Sequence, residues 1–390
     1  MERGGVSAPT SPEAKRSSVA GAASQGIVIE RLEKTGSSGH DDSERRSRSG
    51  SDSEELVDVT CCSVFWQLMG LFCYFGCPPL PENITRKIAF HPPPRKQNYR
   101  LMGVTKIGQI TEVLDLKKVA ELRELWIQPV LPEHMKNVDM EHYKWLRQNA
   151  TTFVLDTKQK NQLLCIWVRS PLARTGRVIL FSQGNSSDLG NLIHPNRDSL
   201  LAMSIYYSAD VVAYDYSGFG YSTGSPSEKN IYADVQAVYD HIKKEYGEYV
   251  EIILMGYSMG TAASIDLASK RPENLVGLVL VAPFTSGMRL VRQKPHDAKA
   301  GFLDRFLSFE KAPRINVPTL IVHGRRDEVV PIEHSYALHS RLTKPVTPLY
   351  VRNHDHFSIF GVRQPLVAHR ISHFIRSETA ADTNSTDSAS

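Results

Sequence analysis

Beyond Thr151 the chain alternates short runs that are apolar at nearly every position with longer amphipathic ones, and this alternation constrains its fold more than any other feature. TFVLDT, LLCIWVR, RVILFS, VVAYDY, EIILMG, LVGLVLVAP, PTLIVHG and TPLYVRN read as strands. NIYADVQAVYDHIKKEYG, SMGTAASIDLASK and LVAHRISHFIR read as helices, and a further helical run begins near Ser187. A strand with one face in water alternates polar and apolar side chains, whereas a strand apolar throughout must be covered on both faces. Interleaved helices supply that cover, and they also make the crossovers that parallel neighbours require. The expected fold class is therefore α/β, a mostly parallel central sheet with helices on both faces. Residues 110 to 150 are weakly patterned, with one helix expected around LKKVAELRELW and another around MEHYKWLRQ.

The ends of the chain differ in character. Residues 1–55 are rich in Ser, Gly and mixed charge with few aromatics, so they cannot bury enough surface to offset chain entropy, and they read as disordered. The tail 378–390 (ETAADTNSTDSAS) reads the same way. Between the disordered start and the main domain, expected over 95–377, lies the segment 56–94. It contains CCSVFWQLMGLFCYFGCPP, an uncharged stretch holding Cys61, Cys62, Cys73 and Cys77. Arg86, Lys87, Arg95, Lys96, Arg100 and Lys106 follow with no acid among them after Glu82 until Glu112. Apolar residues, clustered thiols and trailing bases suit attachment to an anionic membrane surface.

Other readings of the cysteines are a metal site or a membrane-spanning helix. Adjacent thiols chelate awkwardly, and Cys61 to Cys77 reaches only the short end of spanning length. Lipidation accounts best for the cluster, because one acyl chain binds a bilayer marginally and several thiols supply the second signal. The start of the chain has no apolar run after its charged residues, so a cleaved secretory signal is not expected. The net charge of +4, with acids and bases interspersed, gives no reason to expect nucleic acid as a partner.

Between the strand EIILM and its following helix stands Gly256-Tyr257-Ser258-Met259-Gly260, a G-x-S-x-G sequence. A sharp strand-to-helix turn presents such a Ser clear of the sheet, and its flanking glycines avoid clashes with the neighbouring elements. The helix N-terminus leaves the Met259 N–H free to face a developing oxyanion. An unactivated hydroxyl is a poor nucleophile, so a base and an orienting acid are needed. Asp327 follows the strand PTLIVHG and is the expected acid, with Glu328 and Asp215 as alternatives. His356 follows TPLYV and is the expected base, with His354 as the alternative. Two histidines that close could also be metal ligands, but no Cys or further His accompanies them at zinc spacing, so neither metal nor cofactor is expected. The second oxyanion donor is expected at the Asn185 N–H, in the loop SQGNSSDLG after RVILF.

On these stretches the chain resembles the alpha/beta-hydrolase domain-containing protein 17 family, membrane-anchored depalmitoylases of the α/β-hydrolase fold. The resemblance rests on ILFSQGNSSDLGNL, VVAYDYSGFGYSTGSPSEKNIYAD, MGYSMGTAASIDLA, APFTSGMRL, LIVHGRRDEVVP and LYVRNHDHFSIFG, with RKIAFHPPP after the cysteine cluster. By position it implies Ser258 as nucleophile, Asp327 as acid and His356 as base. It implies S-palmitoylation of Cys61, Cys62, Cys73 and Cys77, and residence at the cytoplasmic face of the plasma membrane and endosomes. The substrates it implies are palmitoyl-cysteine thioesters of membrane-associated proteins such as Ras-type GTPases and synaptic scaffolds.

Two positions depart from the family pattern. Gln183 stands where the family usually has His, which bears on the hydrogen bonds that shape the oxyanion loop. Asp355 stands where it has Gly, and a carboxylate facing the ring of His356 would raise its pKa. A short cap is expected over Ala282 to Phe309, with Phe302, Leu303, Phe306 and Leu307 lining an acyl slot. Two rivals to thioester hydrolysis are a lipid ester substrate, such as a monoacylglycerol or lysophospholipid, and a catalytically silent fold used as a binding module.

Overall fold

The computed structural model describes residues 89–131, 140–172, 176–194, 199–296, 300–301, 304–361 and 364–379. The expected disordered start, the four clustered cysteines, Phe302, Leu303 and the tail beyond Thr379 lie outside the described residues. Eleven strands are described: β1 (Tyr99–Thr105), β2 (Ile110–Glu112), β3 (Leu122–Pro129), β4 (Ala150–Asp156), β5 (Gln162–Val168), β6 (Arg177–Ser182), β7 (Asp210–Tyr214), β8 (Glu251–Tyr257), β9 (Leu275–Val281), β10 (Thr319–Gly324) and β11 (Leu349–Val351). Eight form one sheet in the order β11-β10-β9-β8-β6-β7-β5-β4. β6 to β11 are mutually parallel, while β5 runs antiparallel to both β7 and β4.

Apolar strands covered on both faces are what the sheet contains. Along β8, Ile252 and Leu254 enter the core on one face, and Ile253 and Met255 enter the core on the other. β6 divides in the same way, Val178 and Leu180 against Ile179 and Phe181. This two-residue period is the pleat expressed in packing. The Glu228–Tyr246 helix, capped by Ser227 accepting from the Asn230 N–H at 3.1 Å, contributes Ile231, Val235 and Val238 to the first of these cores. The Pro365–His373 helix contributes Val367 and Ile371 to the second.

The helix expected over LKKVAELRELW is half strand. Leu116–Glu121 form a 3-10 helix, and from Leu122 the chain becomes β3. β3 pairs antiparallel with β1 from Tyr99↔Pro129 to Thr105↔Leu122, and β2 joins on the other side of β1. Ile127 and Leu101, opposite one another, are both buried in the second core. Partners on β1, 17 to 24 residues away for Leu122 to Trp126, decided the conformation against the local pattern. The Met140–Asn149 helix forms as expected. At the other end the fold runs through Glu378 and Thr379, since Glu378 accepts from Arg370 at 2.9 Å and Thr379 is buried.

Candidate active site

β8 hands the chain to the Met259–Ser269 helix through one residue, Ser258, whose backbone is left-handed at φ 52°. Its N–H donates to the Val281 carbonyl at 2.9 Å, and its own carbonyl accepts from the Thr261 N–H at 2.9 Å. The turn has no space for side chains on either side. A Cβ at Gly256 would lie 2.5 Å from the Gly260 carbonyl oxygen, and one at Gly260 would lie 1.9 Å from that of Ser182. The strained residue is thus held by neighbours that only glycine permits, as expected where a side chain must be presented to chemistry.

Asp327 and His356 come from the ends of two other parallel strands. Three residues past β10, Asp327 is buried, and its Oδ1 accepts from the N–H groups of Val329 (2.9 Å) and Val330 (2.7 Å). Its Oδ2 accepts from His356 Nδ1 at 2.7 Å. With that proton on Nδ1, His356 Nε2 is an acceptor and lies 3.0 Å from the Ser258 hydroxyl. The three residues therefore form a continuous hydrogen-bonded line from carboxylate to hydroxyl. The alternatives fall elsewhere: Glu328 is exposed, His354 Nε2 faces Gln364 Oε1 at 2.9 Å, and Asp215 lies in the network around the loop after β6. His354 and His356 thus do not converge on a common point.

Two residues in this line lay outside the sequence reading. His323, within β10, places Nε2 3.0 Å from Asp327 Oδ2, and its Nδ1 lies 2.5 Å from the Ser335 hydroxyl. Burial alone would raise the pKa of Asp327, yet hydrogen bonds from His323, His356 and the Val330 N–H prevail and hold it well below the usual carboxylate range. Tyr257 donates its hydroxyl to the His356 carbonyl at 2.8 Å, and its ring stacks on the imidazole with centroids 5.3 Å apart. Both left a trace in the sequence, a lone His in an apolar strand and an aromatic beside the candidate nucleophile.

The loop after β6 passes against Ser258. A Cβ on Gly184 would sit 3.1 Å from the Tyr257 ring and 3.8 Å from Ser258 Cβ. Asn185 follows on this loop, Met259 opens the helix, and no acceptor among the described residues takes up either N–H. Gln183 is buried, and its side chain shapes the loop despite the departure from His. Nε2 donates to Asp215 Oδ1 at 3.1 Å and lies 3.3 Å from the Tyr214 carbonyl, while the Gln183 carbonyl accepts from Tyr216 at 2.7 Å.

Asp355 does not face the His356 ring. Its carboxylate accepts from the N–H groups of Phe357 and Ser358 and from the Ser358 hydroxyl, and these bonds lower its pKa. In the expected cap, Phe306 is 5% exposed and its ring packs on Phe90, Phe284 and Tyr232. That ring is part of the core rather than an open wall of a slot, and Leu307 beside it is half-buried.

Six parallel strands with an antiparallel edge, a strained Ser between strand and helix, and an acid and a His at later strand ends define an α/β-hydrolase fold. Residues 207–309 match the family model described as serine aminopeptidase, S33. The Caenorhabditis elegans alpha/beta hydrolase domain-containing protein aho-3 is 37% identical over 287 residues, 73% of this chain and 76% of that protein. Human alpha/beta hydrolase domain-containing protein 17B is 33% identical over 295 residues, 75% of this chain and 91% of that protein. Mouse protein 17C is 31% identical over 319 residues, 80% and 94% of the two chains. The chain belongs to the alpha/beta hydrolase domain-containing protein 17 family, a family of hydrolases. Among solved structures, the Pyrococcus furiosus esterase Pf2001 aligns over 61% of this chain and 95% of its own, at 17% identity and a TM-score of 0.49.

Proposed function

We propose that the chain is a serine hydrolase that removes palmitate from S-acylated cysteines of membrane-associated proteins. The observation that carries the hydrolase reading is the line Ser258, His356, Asp327, with Nε2 3.0 Å from the hydroxyl and Nδ1 2.7 Å from the carboxylate. Ser258 Oγ attacks the thioester carbonyl carbon while His356 Nε2 takes the hydroxyl proton. The Asn185 and Met259 N–H groups hold the negative oxygen. The carbon–sulfur bond then breaks, and His356 returns the proton to the departing cysteine sulfur. Water attacks the acyl-serine with His356 again as base, the fatty acid leaves, and Ser258 recovers its proton. Asp327, kept ionised by its donors, orients the imidazole and stabilises its charged form.

The thioester substrate rests on the family resemblance and on the clustered thiols. S-acylated Cys61, Cys62, Cys73 and Cys77 would hold the enzyme peripherally on the cytoplasmic face of the plasma membrane and endosomes, beside its substrates. No helix among the described residues is long and apolar enough to cross a membrane. Changing the four cysteines to Ser should release the protein to the cytosol, and retention on carbonate-washed membranes would count against lipid-only anchoring.

Fluorophosphonate labelling and hydrolysis of a palmitoyl-cysteine peptide test the chemistry together. The unmodified chain should label and turn over, and Ser258→Ala should do neither. Equal hydrolysis by Ser258→Ala would remove Ser258 as nucleophile. Labelling with preference for a monoacylglycerol or lysophospholipid would keep the hydrolase and discard the thioester. An unmodified chain that does not label would point to a binding module.

A further inference from the structure

The stretch Ala89 to Tyr99, just ahead of and including the first residue of β1, is tied at four places to the loops at the carboxyl end of the main sheet. Asn185 Nδ2 donates to the Ala89 carbonyl at 2.8 Å and lies 3.1 Å from His91 Nδ1, and the His91 N–H donates to Asn185 Oδ1 at 3.1 Å. Arg95 Nε donates to the Gly220 carbonyl at 3.0 Å. Asn98 Nδ2 donates to Asp188 Oδ2 at 3.0 Å, and the Tyr99 hydroxyl bonds to Asp215. Between the two points where Asn185 holds the backbone, Phe90 turns inward, 5% exposed, with its ring 6.0 Å from that of Phe306. The fit is close enough that a Cβ on Gly190 would come 2.7 Å from the Asn98 carbonyl carbon.

An oxyanion donor helps in proportion to how little it must reorganise when charge develops. Asn185 follows Gly184 on a partly exposed loop, where nothing intrinsic fixes the peptide that carries its N–H. Three bonds on its side chain remove that freedom, because a side chain pinned at its amide restricts the backbone that bears it. We propose that Ala89–His91 is a working part of the catalytic site: it clamps the Asn185 side chain and so holds the Asn185 N–H in place beside Ser258. His91 and the Asn185 side chain are positioning groups, acting through a backbone amide that touches substrate. The inference rests on the reading of that amide as an oxyanion donor.

The test uses the full chain and a soluble short-chain p-nitrophenyl ester, so that membrane binding does not enter. Asn185→Ala keeps the backbone N–H and loses all three clamp bonds. His91→Ala, at an exposed residue, loses one, and His91→Asn puts an acceptor oxygen near the place of Nδ1. Removing an oxyanion donor outright costs about 10²–10³ in kcat, so loosening one should cost about tenfold. Asn185→Ala should lower kcat by about that factor with KM within about twofold, since the interaction acts in the transition state. His91→Ala should fall less, His91→Asn should recover most of the loss, and fluorophosphonate inactivation rates should track kcat/KM at unchanged melting temperature. An unimpaired Asn185→Ala, a change confined to KM, or His91→Asn no better than His91→Ala overturns the clamp alone. An unmodified chain inert to ester and probe overturns both the clamp and the reading beneath it.

Discussion

The loops after β7 and β10 each carry a buried carboxylate close to the end of a parallel strand, Asp215 and Asp327, and the two have opposite electrostatics. Burial drives the pKa of Asp215 up to about 7, helped by the charge of Asp188, and bonds from Tyr99, the Leu189 N–H and Gln183 only partly offset it. Asp327 is also buried, but four donors converge on its two oxygens, two backbone N–H groups and two imidazoles, and its pKa ends well below the usual range. Depth, neighbouring charge and donors all separate them: Asp215 is the more deeply buried and has Asp188 beside it, whereas Asp327 has a fourth donor and two imidazoles at its oxygens. One carboxylate is equipped to remain an anion beside an imidazole that becomes charged. The other anchors both ends of the loop after β6, accepting from Gln183 and from the Leu189 N–H.

The same isosteric change at both places should separate the roles. Asp327→Asn should lower kcat by about 10⁴, the size of loss found when the acid of such a triad is neutralised, with the chain still folded by circular dichroism. A fall of less than tenfold would mean that His356 is oriented by something else. His323→Gln sharpens the point from the donor side. Weakening a hydrogen bond to a charged group is worth about 1.5–3 kcal/mol, so single-turnover acylation should slow by about ten- to a hundredfold.

Asp215→Asn should change kcat by no more than about threefold, because an amide oxygen can still accept from Gln183 and Leu189. Its effect should appear in stability against pH. A carboxyl whose folded pKa is raised adds stability that is complete below its unfolded value of about 3.9 and is lost as pH rises through about 7. Melting temperatures of Asp215→Asn should therefore decline less between pH 4 and 8 than those of the unmodified chain. Asp234, also raised to about 7 by burial, adds a similar trend to both proteins, so the difference between them is the quantity to read. An identical slope would place Asp215 with Asp327 as a permanent anion. For Asp327 the sign is reversed: its contribution is present above about 3.9 and is lost as pH falls through its low folded value.

The central sheet was legible because most of its strands declare themselves over five to seven consecutive residues, β11 with three being the exception. Ser258, Asp327 and His356 were legible as residues in position because each follows a strand, Ser258 directly, Asp327 three residues on and His356 five. Most of what escaped has partners far away in sequence, and Asp355 is the local exception. β3 was read as helix because LKKVAELRELW is judged locally, whereas β1 decides its conformation. Gln183 looked like a threat to the oxyanion loop when set against a family pattern, but an amide can donate to Asp215 from that position. Asp355 looked like an influence on His356, yet three donors within three residues hold its carboxylate in the turn. RKIAFHPPP stood out as a stretch of family resemblance, but nothing in its composition says that it meets Asn185.

The order of synthesis gives the strap from Ala89 to Tyr99 a further consequence. Its hydrogen-bond partners on the sheet loops lie between 90 and 127 residues later in the chain. It is made before any of them, and contacts of that span come late in folding because long loops must close first. The elbow at Ser258 also depends on other strands, since its N–H reaches Val281 and Gly260 packs against the Ser182 carbonyl. The strap's partners, from Asn185 to Ser222, are all made before Ser258, so the loops that the strap ties down are present before the nucleophile is.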